Sequence, residues 1–416
     1  MNDRIAAAEG YEGVPTRLAF DDAIAIVRQV AASHRVEPES VAVARCHGRV
    51  LAADVVAPIA LPPFDNSAMD GYAFRHADLA GQGPGGLQLA GEQFAGVVTG
   101  QGVGAGECIG ITTGSPLPPG ADTVAILEVV QRDGNRVRIP GDVAPGANVR
   151  NAGEDVRAGE VVLRAGQVLS PVRTSLAAAL GLDALQVARR PTVAVFTTGD
   201  ELVPPGLPLA PGQIHDSNRE LLAGLLRAEG LEPTLWPALP DDPRRIEVAL
   251  RDACCAFDGV LTCGGVSAGG KDHVPAVLAG FGTPRFWKVR MKPGMPVLFG
   301  SLDQARLLGL PGNPVSVLAT WLTFGRALVD GLQGRTDPRP VWRARLAVPL
   351  SKPHPRREFQ RARLEARDDG ALWATPDPAT GSHRLRAAAG ADALLLVPEG
   401  PCDLPTGAVL DVLPLP

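Results

Sequence analysis

The sequence predicts a multidomain protein of mixed type, α/β plus all-β. It would combine a parallel α/β domain, a β domain inserted into a discontinuous helical domain, and a C-terminal β-barrel. Three observations carry this. At 416 residues the chain is too long for one ordinary core. Its texture changes several times, from helical spacing to short apolar runs, to strand–loop–helix alternation, and back to strands. Glycine (48) and proline (39) are abundant without low complexity, which indicates many turns and glycine-built loops.

The elements follow in chain order. Residues 1–57 form the first helical segment, because "RLAFDDAIAIVRQVAA" (17–32) has helical apolar spacing and few breakers. Residues 58–141 read as the inserted β domain, since "LQLAG", "CIGITTG", "TVAILEVV" and "RVRIP" are short apolar runs between turns. Residues 142–188 return to helix-compatible sequence in "SPVRTSLAAALGLDAL". Residues 189–332 alternate strand and helix: "TVAVFTTGDEL", "SNRELLAGLLRAEG" with Ser217 or Asn218 as N-cap, "EPTLWPAL", a helix starting at Asp242–Pro243, "DGVLTC", "RLLGL", and a helix from Pro314. Such alternation indicates a parallel sheet. Residues 333–416 read as strands again, with "DDG" as a turn, and form the barrel.

Composition excludes several classes. Apolar residues at 45% and charged residues at 20% describe a globular chain, and a net charge of −5 gives no general drive toward nucleic acid or anionic membrane. Six scattered cysteines (46, 108, 254, 255, 263, 402) form no C-x-x-C pair, and "MNDRIAAAEGYEG" lacks the flank and apolar run of a secretory signal. The expectation is a reducing cytoplasm. Leu307 to Gly325 carries no charge over 19 residues, but "PGNP" interrupts it, so buried core is expected there and no membrane span.

Ligands of open parallel sheets bind beyond the carboxyl ends of the strands. Four such ends are polar or glycine-rich: "TTGDEL" (Asp200, Glu201), "PDDP" (Asp241, Asp242), "CGGVSAGGKD" (Lys271, Asp272) and "GLPGNPVS" (Asn313). Carboxylates converging from three loops would repel, and a metal bridging them to a phosphate would remove that repulsion. Gly265, Gly270 and Lys271 match G-x-x-x-x-G-K, but Asp272 stands where a P-loop needs Ser or Thr, so this is no Walker motif. Gly264, Gly265, Gly269 and Gly270 would still let backbone approach an anion, with Ser267 in the same loop and Asp272 as a metal or ligand carboxylate. In "GLPGNP", which spans Pro311 and Gly312, Asn313 would cap a helix with Pro314 in its first turn, leaving backbone N–H groups for an anion. Strand alternation in "FWKVRMKPGMP" would put Lys288, Arg290 and Lys292 on one face beside the acidic cluster. "PPFDNSAMDGYAFR", "ITTGSPLPPGAD" and "NVRNAGEDV" are further small polar loops, each also readable as ordinary turn chemistry.

Together these segments resemble the molybdopterin molybdenumtransferases, the MoeA family that includes the gephyrin E-domain. "PPFDNSAMDGYA", "TTGSPLPPGAD", "NVRNAGEDV", "TTGDEL", "GQIHDSN", "TCGGVSAGGKD", "KPGMPVLFG" and "GLPGNPVS" occur in family order, and the likeness spans roughly residues 17 to 412. The resemblance implies an L-shaped, four-domain homodimer that inserts molybdate into adenylylated molybdopterin, with Mg2+ assisting and AMP leaving. This would be the final step of molybdenum cofactor biosynthesis, with a molybdopterin adenylyltransferase as upstream partner. Carried over by position, the catalytic set is Asp70, Thr113, Asp155, Glu201, Asp241 and Asp272, with Glu201, Asp241 and Asp272 as the metal ligands. Arg150, Lys288, Lys292, Pro311, Asn313, Pro314, Arg361 and Ser382 match substrate-binding positions, beside the loop residues Gly264, Gly265, Ser267, Gly269 and Gly312. Molybdate and the pterin phosphate need Lys, Arg and backbone N–H, while magnesium needs carboxylates.

Two positions depart from the family pattern. Met295 stands where "KPGKP" has Lys, and His215 where "GQIYDSN" has Tyr. Three other readings compete. A molybdopterin adenylyltransferase would resemble the α/β domain alone, a gephyrin-like scaffold would need a long linker and a second module, and a P-loop NTPase would need the missing Ser or Thr.

Overall fold

The computed structural model describes residues 14–267 and 269–416. The reading of the first thirteen residues as lacking a secretory signal lies outside the described residues. The α/β domain is built on a seven-stranded sheet in the order Thr16–Leu18, Thr283–Val289, Leu298–Leu302, Ala305–Leu310, Gly259–Cys263, Val193–Thr197, Thr234–Leu235. The last four run parallel. Leu298–Leu302 is antiparallel to both neighbours, so the sheet is mixed and not wholly parallel. The cause is local: Leu302 pairs with Ala305 across a tight turn, and a hairpin needs no crossover helix.

"VAVFT" and "GVLTC" are buried at every residue, as strands covered on both faces should be. One face packs against helices Phe20–Ala32, Ser217–Ala228 and the long helix beginning at Pro314, through Ile24, Leu222, Leu226 and Val317. The other face packs against Pro243–Ala256 and Val274–Phe281, through Ile246, Leu250 and Leu278. The uncharged stretch after Leu307 is therefore a buried strand followed by a core helix. By length and composition Pro314–Gln333 could cross a membrane, yet 78% of its apolar window is buried inside the protein.

The apolar stripe read in residues 17–32 is real, but it faces the α/β domain. Thr16–Leu18 extends the large sheet, and helix Phe20–Ala32 packs on helix Arg326–Gln333. The flanks of the inserted domain do pack together, mainly through strands. Pro38–Ala42 pairs with Ala184–Ala188, and Val55–Val56 with Val161–Leu163, around Cys46, Leu51, Leu169 and Val187. Helix Pro171–Ala179 completes this unit, with Ser170 as its cap and Pro171 in its first turn.

The inserted domain holds a six-stranded sheet from Gly71–Phe74 to Arg136–Arg138. Gly71 is required there, because a Cβ would lie 1.9 Å from the Ala125 carbonyl oxygen of the next strand. In the C-terminal domain Arg357–Ala366, Leu372–Pro376, Trp342–Leu346, Val409–Pro414 and Ala393–Val397 close into a five-stranded barrel, since the last pairs back onto the first. The "DDG" turn joins the first two, with Gly370 at φ 74°. Met291–Lys292, leaving the α/β domain, adds to the barrel strand beside Arg357 and Glu358.

Candidate active site

Thr197, Cys263 and Leu310 lie in register across three parallel strands. The loops that follow therefore leave the sheet at one level and enclose a cavity of about 440 Å³. Glu201, Asp241, Asp272, Gly264, Gly265, Gly312, Asn313 and Pro314 all line it, as the strand-end argument expects. Gly264 and Gly265 have φ of 91° and 65°, and a Cβ on either would come within 3 Å of Thr198. Only glycine lets the two loops approach this closely. Asn218, Lys271, His215 and His383 line the same cavity.

The acidic loops do converge, but a lysine joins them. Lys271 Nζ lies 3.1 Å from Asp200 Oδ2 and 3.4 Å from Asp241 Oδ2. The Asp241 N–H and then Lys271 hold the Asp200 carboxyl below its ordinary range, and the two carboxylates raise the Lys271 ammonium. Asp272 turns back on its own loop and accepts the Gly269 N–H at 2.7 Å, so that N–H does not face a ligand. Ser267 is exposed on the same loop. Among the described residues no three His, Cys, Asp or Glu side chains stand close enough to hold one metal ion. Glu201, Asp241 and Asp272 share a cavity without forming one ligand cluster.

Two capping expectations change. Asp216, not Ser217 or Asn218, caps helix Ser217–Ala228 by accepting the Arg219 N–H at 3.2 Å. It is buried and also accepts the Thr197 hydroxyl at 2.6 Å, which ties the cap to a strand end. Asn218 is thereby left to donate to the Gly312 carbonyl at 2.6 Å. Asn313 starts its helix but makes no side-chain cap; its Nδ2 donates to Ser382 Oγ at 3.0 Å. The Ser382 carbonyl accepts the Val315 N–H, so the barrel segment occupies part of that helix start.

The basic strand is also rearranged. Lys288 has φ 67°, the Thr283–Val289 strand ends one residue later, and alternation is lost. Lys288 Nζ sits 3.5 Å from the Trp287 ring centroid, Arg290 pairs with Glu399, and Lys292 pairs with Glu358. None of the three lines the carboxylate cavity. Lys292 instead lines a small separate cleft with Val315, Arg361, Asp377 and Thr380. Arg361 is buried and donates to the Gly381 carbonyl, next to Ser382. Pro311 is buried, and its carbonyl accepts the Cys263 thiol. Met295 is half-buried and its carbonyl accepts the Val289 and Val297 N–H groups, so its backbone has a defined task.

A third group lies in the inserted domain. Asp70 Oδ1 accepts the Thr113 N–H at 2.7 Å and its hydroxyl at 2.9 Å, and these bonds hold the Asp70 carboxyl below its ordinary range. Arg150 pairs with Asn66 in a two-strand ribbon, and Asp155 is exposed beside the bridge to Leu61. None of these four lines the carboxylate cavity within one chain. Asp200 reads as a strand-end carboxylate without a site role, and Asp216, Asn218 and His383 lie outside the site residues the sequence indicates. "TTGDEL" and "GQIHDSN" contained a signal for the first three, while His383 had only its place beside Ser382.

A strand-end cavity lined by acidic loops and a helix start, with an inserted β domain and a closed barrel beside it, defines a multidomain protein built on an α/β unit with a strand-end ligand site. Residues 194–330 match the family described as probable molybdopterin binding domain. Residues 18–181 match the MoeA N-terminal region (domain I and II), and 343–415 the MoeA C-terminal region (domain IV). The chain is 39% identical over 388 residues to molybdopterin molybdenumtransferase 2 of Mycobacterium tuberculosis, covering 90% of this chain and 94% of that one. It is 36% identical over 369 residues to the molybdopterin molybdenumtransferase of Haemophilus influenzae, covering 88% and 91%. The crystal structure of a molybdopterin biosynthesis MoeA protein from Pyrococcus horikosii superposes with a TM-score of 0.77 at 30% identity, covering 94% and 97%. The chain belongs to the molybdopterin molybdenumtransferase (MoeA) family.

Proposed function

We propose that this chain inserts molybdate into adenylylated molybdopterin with release of AMP, the final step of molybdenum cofactor biosynthesis. One observation carries the reading: a carboxylate-lined cavity and a cleft holding Lys292 and Arg361 flank the same helix start, Asn313–Pro314–Val315. Ser382 joins them through Asn313. Insertion of an oxyanion into a phosphate-bearing pterin needs two such places, one for the phosphoanhydride and one for the small dense anion.

The donor set at the cavity fits magnesium in kind. Glu201, Asp241 and Asp272 offer hard oxygen ligands, and Mg2+ commonly takes one or two carboxylates together with substrate phosphates and water. Bound there, magnesium would supply charge neutralisation at the phosphoanhydride. The chain's own residues do the rest. Lys271 balances Asp200 and Asp241 so that two carboxylates coexist at a strand edge. Gly264 and Gly265 bring backbone to the cavity floor, and Asn218 holds the Gly312 carbonyl away from an entering anion. Lys292 and Arg361 attract molybdate, with Ser382 as a neutral hydroxyl partner. A homodimer, an upstream adenylyltransferase partner and cytoplasmic residence complete the proposal.

AMP release from adenylylated molybdopterin should require both magnesium and molybdate, and ATP alone should not turn over. Lys292→Ala should raise the half-saturating molybdate concentration by about tenfold or more, with less effect on pterin binding. Release that ignores molybdate, or ATP turnover without pterin, would show a simple nucleotide hydrolase instead.

A further inference from the structure

We propose that Glu358, shared between Lys292 and His354, positions Lys292 and sets how much positive charge it offers an anion in the cleft. This rests on the reading of Lys292 as an anion-binding residue.

Glu358 stands directly opposite Lys292 where the α/β domain's last short strand joins the barrel. It is only 4% exposed. Its Oε1 lies 2.9 Å from Lys292 Nζ, and its Oε2 lies 3.0 Å from His354 Nε2, a charge-range contact in which neither buried ring nitrogen is aligned in a hydrogen bond. The turn that carries His354 is itself clamped. Lys352 is buried, and its ammonium donates to the His354 and Arg356 carbonyls at 2.9 Å each and to the Gly400 carbonyl. Three carbonyl acceptors leave Lys352 no proton for another task. The imidazole is thus delivered to the second oxygen of a carboxylate whose first oxygen holds the anion-binding lysine.

With a neutral imidazole, the Lys292–Glu358 pair carries no net charge, and its attraction for an anion is largely cancelled. With an imidazolium on the other oxygen, the three groups together carry one positive charge. Low-dielectric surroundings strengthen that difference, because Glu358 is buried. Burial pushes the His354 imidazole below its ordinary value; Glu358 opposes this, and Lys292, Arg356 and Lys352 add to it. The imidazole therefore takes up its proton at a lower pH than an ordinary histidine does. Arg361 and Asp377 complete the charges around the cleft, and the neighbouring Arg290 and Arg357 are occupied by Glu399 and Asp21.

The test is calorimetric titration of sodium molybdate into the full chain, without pterin, between pH 5.5 and 8. Wild type should bind about fivefold more tightly at the acidic end. His354→Gln should keep the affinity found at pH 8 and lose that gain. Glu358→Gln should bind more tightly at pH 8, because the amide has no charge to cancel that of Lys292. His215 and His383 line the neighbouring cavity, but both are present in wild type and in His354→Gln, so the difference between the two curves belongs to His354. Thermal unfolding checks that each variant folds, and if Glu358→Gln does not, the His354→Gln slope decides alone. A wild-type slope retained in His354→Gln overturns the proposal, as does a wild type with no slope. If Lys292→Ala binds like wild type, the assignment of Lys292 falls and takes this proposal with it. If Lys292→Ala binds weakly while His354→Gln keeps the slope, only the role of Glu358 and His354 falls. Molybdate that does not bind at millimolar concentration overturns the anion cleft itself.

Discussion

Asp272 braces its own loop, its carboxylate accepting the Gly269 N–H, and also faces the cavity. Replacement by Asn leaves an oxygen that can accept the same N–H while removing the charge. Asp272→Asn should therefore keep the fold and lower turnover about 10²-fold, measured as AMP release at matched magnesium. Turnover equal to wild type would reduce Asp272 to a loop brace. Legibility at this scale depended on whether a residue's partners are local. Glu201, Asp241, Asp272 and Asn313 were readable because each sits just past a strand whose apolar run marks its end. Lys288, Arg290 and Lys292 were misread as one face because the positive φ of Lys288 has no signature in a Trp-Lys-Val context. Asp216 was overlooked because Ser217 and Asn218 make equally good caps by residue type.

Helix ends also carry a stabilising network outside the site. Glu229, at the end of helix Ser217–Ala228, lies 2.7 Å from Arg326 Nε and 2.8 Å from Arg339 Nη1. Arg339 in turn makes a two-point contact with Asp330, at 2.7 Å for each bond. Burial pushes the Glu229 carboxyl up, but Arg339 and Arg326 outweigh it, and the net shift is downward. A carboxyl lowered by folding stabilises above the ordinary glutamate value, and that contribution is lost as pH falls through the folded value. Glu229→Gln should lower stability at neutral pH by about 2 kcal/mol, since Arg326 loses its carboxylate partner while Asp330 still holds Arg339. The deficit should shrink on acidification below pH 4, as wild type loses the same charge. Urea unfolding at both pH values measures this, and a deficit independent of pH would remove the ionic account. Elements were readable where periodicity is local, as in "VAVFT" or helix Pro243–Ala256, whose cap at Asp242 accepts from Arg244 and Arg245 as its sequence suggests. The pairing of Pro38–Ala42 with Ala184–Ala188 was not, because neither short strand has a periodicity that names its partner.

At the scale of the molecule, the candidate residues fall into separate places, and Asp70 with Thr113 lies in the inserted domain away from the carboxylate cavity. If the working site is completed across a homodimer, subunits carrying Asp70→Asn and subunits carrying Asp272→Asn should regain part of the lost AMP release when mixed and exchanged. Heterodimers that stay inactive would rule out a shared site. A different consequence follows from the pairing of Thr16 with Trp287 at the outer edge of the large sheet. These partners are about 270 residues apart along the chain. On a ribosome adding about 5–20 residues per second, the first strand leaves the exit tunnel roughly 15–50 s before its neighbour exists. Helix Phe20–Ala32, which packs on Arg326–Gln333, waits longer still. The inserted β domain can close meanwhile, because its six strands end at Arg138 and the later partners of its edge, Ala147 to Arg150, follow soon after. Biosynthesis thus leaves the amphipathic N-terminal segment without a docking face until most of the polypeptide has been translated, and chaperone capture should concentrate there.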